Sequence, residues 1–109
     1  MENKEKSLND LQEILERLET LHPEDPQTTS LVLDYLHDAL DVFRFLFRNG
    51  YTEEQPSHVI NYCIMKLEFA KKQIENDDVE EGLKFTKSVI MFFLKEIAIE
   101  AAAEQAENL

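Results

Sequence analysis

From Leu31 to Phe47 the chain reads LVLDYLHDALDVFRFLF, and its apolar positions fall into two interleaved rows. Leu33, Leu36, Leu40, Phe43 and Phe47 recur at alternating gaps of three and four residues, and so do Val32, Tyr35, Ala39, Val42 and Leu46. At about 100° per residue the rows lie side by side on a helix and form an apolar arc of roughly 160°. One row would suit a helix lying on a surface; two predict a helix wedged between neighbours. Asp34, His37, Asp38, Asp41, Arg44 and Arg48 fill the remaining arc, which should face water.

Three other stretches carry the same period. Leu8, Leu11, Ile14, Leu15, Leu18 and Leu21 mark a first helix, with Ser7 as its N-cap and His22-Pro23 as its end. Residues 23–30, PEDPQTTS, form a linker, and Asp25-Pro26, Thr28, Thr29 and Ser30 are alternative starts for the second helix. That helix should stop at Asn49-Gly50. Thr52 with Gln55 reads as a capping box for a third helix, with Ser57 as the alternative cap. Its core stripe is Ile60, Cys63, Leu67, Ala70 and Ile74, with Val59 and Ile64 beside it. Asn76-Asp77-Asp78 leaves room only for a tight connection, after which Asp78 and Glu81 open a fourth helix whose stripe is Val79, Leu83, Ile90, Phe93 and Ile97. Gly82 sits in its first turn, where it either permits close helix approach or simply lowers helix propensity.

The pattern predicts an all-α protein, an up-and-down bundle of about four helices. The short third connection forces helices three and four into an antiparallel hairpin. Residues 1–109 form one domain, with 1–6 and 104–109 expected to fray. A chain of this length buries about two-thirds of the surface its unfolded form exposes, enough for a bundle without staples.

Charge narrows the functional classes. The net charge is −12, from 23 acidic and 11 basic residues. Such a balance opposes nucleic-acid binding, which draws most of its affinity from basic footprints, and docking on anionic membranes. The acid is uneven: residues 1–41 carry −8, residues 42–72 carry +2, and residues 73–109 carry −6. The single Cys63 excludes an internal disulfide and suits a reducing compartment. No run nears the roughly 20 apolar residues that span a bilayer, and the charged start MENKEKSLND is unlike a signal peptide. A cytoplasmic location is therefore expected.

Candidate chemistry is sparse. Asp34, His37, Asp38 and Asp41 share spacings of three and four, and resemble the E-x-x-H pairs that hold metal in di-iron carboxylate bundles. His37-Asp38 also resembles the dipeptide of the HD hydrolases, whose further His and Asp positions are missing here. Glu13, Glu16 and Glu19 resemble the E-x-x-E helices of all-helical nucleotide pyrophosphatases, without the matching acids on a second helix. All of these lie on predicted outer faces, so a metal-dependent bundle enzyme on the acidic face of helix two is the alternative reading, not the leading one. Cys63 falls on an apolar stripe, where a thiol is a small core residue, and two isolated glycines build no phosphate loop. No cofactor and no catalytic residue are expected.

The leading reading comes from apolar residues that miss the core stripes. Phe45 falls among charges on helix two; Tyr62, Met65 and Phe69 form a second stripe on helix three. Met91 sits among lysines on helix four, beside a row of Phe85, Phe92 and Ile99 at seven-residue intervals. Exposed aromatic and methionine patches mark interfaces. The expectation is a non-enzymatic protein–protein interaction module: an adaptor, a chaperone, or an inhibitor of the immunity-protein type. Its partner would be basic or helical, or a second copy of the chain. The segment KLEFAKKQIENDDVEEGLKFTKSVI, about a quarter of the chain, resembles the helical hairpins of flagellar export chaperones in its amphipathic period and acidic turn. Those features are common to many helix pairs and identify no family.

Overall fold

The computed structural model describes residues 4–49 and 57–107, and the side chains of 5–49 and 58–96. Four helices account for most of them: α1 (Lys4–Leu18), α2 (Thr28–Arg48), α3 (Ser57–Glu75) and α4 (Val79–Glu107), with no strand among the described residues. Each helix packs on its successor, α4 closes the ring against α1, and only α2 and α4 touch across the centre. The all-α, up-and-down bundle and its tightly packed α3–α4 hairpin are therefore as the apolar pattern predicts. The molecule measures 50 × 25 × 24 Å.

The core assembles from the predicted stripes. Ile60, Cys63, Leu67, Ala70 and Ile74 of α3 are all buried, as are Val32, Leu36, Ala39, Leu40, Phe43 and Leu46 of α2. Leu83, Ile90 and Phe93 of the predicted α4 stripe are buried and Val89 joins them from outside it, while Val79 is half-buried and the Ile97 side chain lies outside those described; Leu11, Ile14, Leu15 and Leu18 supply α1. Phe43 and Phe93 meet edge to face across the diagonal, with ring centroids 4.9 Å apart and planes at 76°. That geometry sets the positive ring edge against the negative ring face and adds about 1 kcal/mol to the burial of the two rings.

Helix ends depart from expectation. α1 begins at Lys4, so Ser7 is no N-cap but a buried residue inside the helix. Glu5 and Lys6 are good helix formers, and a Lys6–Asp10 ion pair at 3.0 Å ties the first two turns together, so the helix runs through Ser7. α1 also stops four residues before His22. Thr20 donates from its hydroxyl to the Arg17 carbonyl at 2.7 Å, and the amide of Leu21 bonds Leu18 at 3.2 Å, tightening the last turn. α2 opens at Thr28 with Gln27 as its N-cap, a residue that none of the four expected starts named and that makes no side-chain capping bond. The Asp25 carboxylate accepts the Gln27 amide at 3.0 Å, and the buried Thr28 hydroxyl donates to the His22 carbonyl, tethering the start of α2 to the end of α1. At its far end α2 stops at Arg48, and Asn49 bonds the Phe45 carbonyl through both its amide and its side chain. The predicted capping box at Thr52 and Gln55 lies outside the described residues.

The α3–α4 connection is the tightest in the chain. The Asp78 amide donates to the Gln73 carbonyl at 2.9 Å and the Asp77 amide to Ile74 at 3.1 Å, the paired bonds of a Schellman motif. Asp77 occupies its left-handed position with φ 67°, a place that usually goes to glycine. One turn later, Gly82 is where the helices come closest. A Cβ built on it would overlap Ile74 Cγ1, lie 3.0 Å from Ile74 Cδ1 and 3.2 Å from the Ala70 carbonyl oxygen. Close approach, not a purposeless propensity cost, is therefore the role of Gly82. Thr86 fits into the same seam by donating its buried hydroxyl back to the Gly82 carbonyl at 2.7 Å.

Two opposite effects on stability follow. Asp77→Gly relieves the left-handed backbone and should raise unfolding stability by about 0.5–1 kcal/mol in urea titration. Gly82→Ala should lower stability by about 1–3 kcal/mol, although helix propensity alone would raise it by about 1 kcal/mol. Combined with Ile74→Ala the loss should be less than additive, because the second change removes the atoms that the new methyl meets.

Candidate interaction surface

The outer face of the α3–α4 hairpin carries the most exposed large apolar side chains. The hairpin sets Tyr62 of α3 beside Phe92 of α4, ring centroids 5.8 Å apart, and Phe69 beside Phe85 at 5.6 Å. Both pairs meet edge to face, at 65° and 66°. On each helix the two rings are seven residues apart, two turns or about 10 Å. The result is two aromatic rungs bridging one seam. Lys66 lies between them, its Nζ 5.3 Å from the Tyr62 ring centre and 5.7 Å from that of Phe85. These cation–π contacts hold the ammonium over the seam.

The rungs remain open to solvent. Tyr62 is 49% exposed, Met65 64%, Phe69 54% and Phe92 40%. A cleft of about 190 Å³ runs between them, lined by Tyr62, Lys66, Phe85, Ser88, Val89 and Phe92. Ser88 and Phe92 also border a second, larger groove of about 540 Å³ between α4 and α1, where Met91, Leu94, Leu15, Gln12 and Lys95 complete the lining. The two depressions form one apolar belt over α4. Among the described residues no carboxylate lines either of them; their charged residues are Lys66 and Lys95.

The expected partner-binding residues divide accordingly. Tyr62, Met65, Phe69, Met91 and Phe92 are exposed on this belt or at its edge, and Phe85 is half-buried beneath Phe69 and Lys66. Phe45 is a correction: it is half-buried and packs against the core instead of standing among the surface charges. The first turns of α1 run beside the last turns of α2, with Asp10 and Val42 lining one cleft, so a side chain off the main apolar arc still finds protein there. Ile99 lies within α4, and its side chain is outside those described. Sequence reasoning missed Lys66, whose place at i+4 from Tyr62 and i−3 from Phe69 was the available signal. It also assigned Phe47 to the core, whereas this residue in the last turn of α2 is 45% exposed.

The acidic residues of α2 do not converge. Tyr35, Asp38 and Asp41 line an open cleft of about 520 Å³ toward α1, with Asp10, Glu13 and Arg17 opposite, while His37 borders a separate depression toward α3. Asp34 is exposed, and no three His, Cys, Asp or Glu side chains among the described residues are grouped to hold a metal ion. Arg17 bonds the Glu13 carboxylate at 2.7 Å. That bond first, and Tyr35 second, hold the guanidinium above its ordinary pKa.

Cys63 has no exposed surface, and burial pushes its thiol up to about 12 from 9.0. No helix among the described residues is long and apolar enough to cross a membrane. Compared with protein-family models, curated proteins and solved structures, the chain matches none.

The raised thiol pKa has two measurable consequences. Alkylation of the native protein by iodoacetamide at pH 8 should be slower than in urea by about a thousandfold, since the thiolate is the reacting form. The folded state keeps its proton where the unfolded thiol has lost it, so this contribution to stability is complete below about pH 9 and is lost as pH rises toward about 12. Urea titrations across that range, against a Cys63→Ala control, check the sign.

Proposed function

We propose that this protein is a protein–protein interaction module, an adaptor, chaperone or inhibitor, that binds its target through the aromatic and methionine belt of the α3–α4 hairpin. The observation that carries this reading is the pair of aromatic rungs, with Tyr62, Phe69 and Phe92 each at least two-fifths exposed on a bundle whose core is already complete. Leaving such rings in water forgoes burial worth about 1.5–3 kcal/mol for each one fully covered, and a partner recovers it. An apolar groove between helices, such as the one Met91, Phe92, Leu94 and Leu15 line, suits an amphipathic helix. The lone buried thiol fits work in a reducing cytoplasm.

Met65→Asp and Phe92→Asp separate binding from folding, because both side chains face outward. Met65→Asp should melt within a few degrees of the parent, and Phe92→Asp should lose in addition about 0.5–1.5 kcal/mol from its ring contact with Tyr62, without unfolding. Each should also lose a stoichiometric partner that the parent captures from lysate of the source cell. An Asp38→Ser control should keep that partner. Retention of the partner by both belt variants would remove the belt from the interface.

A further inference from the structure

We infer that the target segment is an acidic amphipathic helix, whose carboxylates meet Lys66 and Lys95 while its apolar stripe covers the two aromatic rungs. This rests on the belt being the binding surface and adds the chemistry of its occupant. In a chain with 23 acidic and 11 basic residues, two grooves whose charged lining among the described residues is two lysines run against composition. Lys66 is held over two rings, and no carboxylate pairs with it among the described residues. Its ammonium is thus positioned at the middle of an apolar seam with hydrogen-bonding capacity to spare, and an incoming carboxylate would complete it.

The net charge does not oppose this. The carboxylates of α2 and α1 that line depressions border other clefts, so the two lysines are the charges a docking helix meets at contact range. The same argument disfavours a second copy seated face to face on the belt. A two-fold contact would bring each Lys66 toward its own counterpart and set like charges together in an apolar seam.

The test uses two fluorescein-labelled synthetic helices of about five turns with the same leucine stripe, one bordered by glutamates and the other by lysines. Anisotropy titrations at about 50 and 300 mM salt compare the affinity that Phe92→Ser removes, which restricts the reading to the belt. The glutamate helix should bind about tenfold tighter or better, with a preference that shrinks at high salt and reverses in Lys66→Glu. Equal affinities, both lost in Phe92→Ser, would overturn the acidic occupant and leave the belt as an interface. Tighter binding of the lysine helix at the belt would do the same. Binding of neither helix would overturn the occupant and count against the belt as a helix dock. Sedimentation completes the test: a dimer that Phe92→Ser dissociates would seat a second copy there and overturn the proposal.

Discussion

The outer face of this protein depends on how closely α3 and α4 approach at Gly82. Without a Cβ at that position the α4 backbone settles against Ile74 and the Ala70 carbonyl, and the Schellman turn at Asp77 fixes where along α3 the contact begins. Together they determine the register of the hairpin. That register pairs Tyr62 with Phe92 and Phe69 with Phe85. A shift of one residue would rotate each ring by about 100° around its helix and dismantle both rungs. A buried glycine and a three-residue turn therefore place four rings that neither of them touches.

Charge is organised on a different scale from charge balance. The whole chain is strongly acidic, and four of its carboxylates, Asp10, Glu13, Asp38 and Asp41, border one cleft between α1 and α2. The apolar belt keeps lysines instead. Net charge speaks for solubility and long-range encounter, while what a docking surface recognises is decided within a Debye length of it. The two properties coexist on one small bundle because its helices hold the faces apart.

The architecture was legible because heptad-like spacing is dense and continuous through α2, α3 and the first half of α4. Every residue of the predicted α3 stripe is buried, and the turn at Asn76-Asp77-Asp78 falls where three polar residues interrupt two apolar periods. The ends were less legible. Ser7 reads as a cap from local preference, but charged helix formers and an ion pair carry α1 past it. Phe45 reads as exposed because a helical wheel assigns direction without knowing how far a neighbour extends. Phe47 shows the converse, with the right direction at the wrong place along the axis. Of the belt, the exposed rings of α3 could be found by elimination from the core stripe. The position of Lys66 between rungs needed the hairpin register, which no single helix contains.

The brevity of the α3–α4 turn also bears on the chain entropy of folding. Phe69 and Phe85 are 16 residues apart in sequence, whereas Phe43 and Phe93, which meet at the centre of the core, are 50 apart. Closing the longer loop costs about 1 kcal/mol more, since closure entropy grows with the logarithm of length. The Phe69–Phe85 rung on the surface thus costs less chain entropy than the central pair of the core. In this protein the outward-facing seam is the local part of the topology, and the interior is the non-local part.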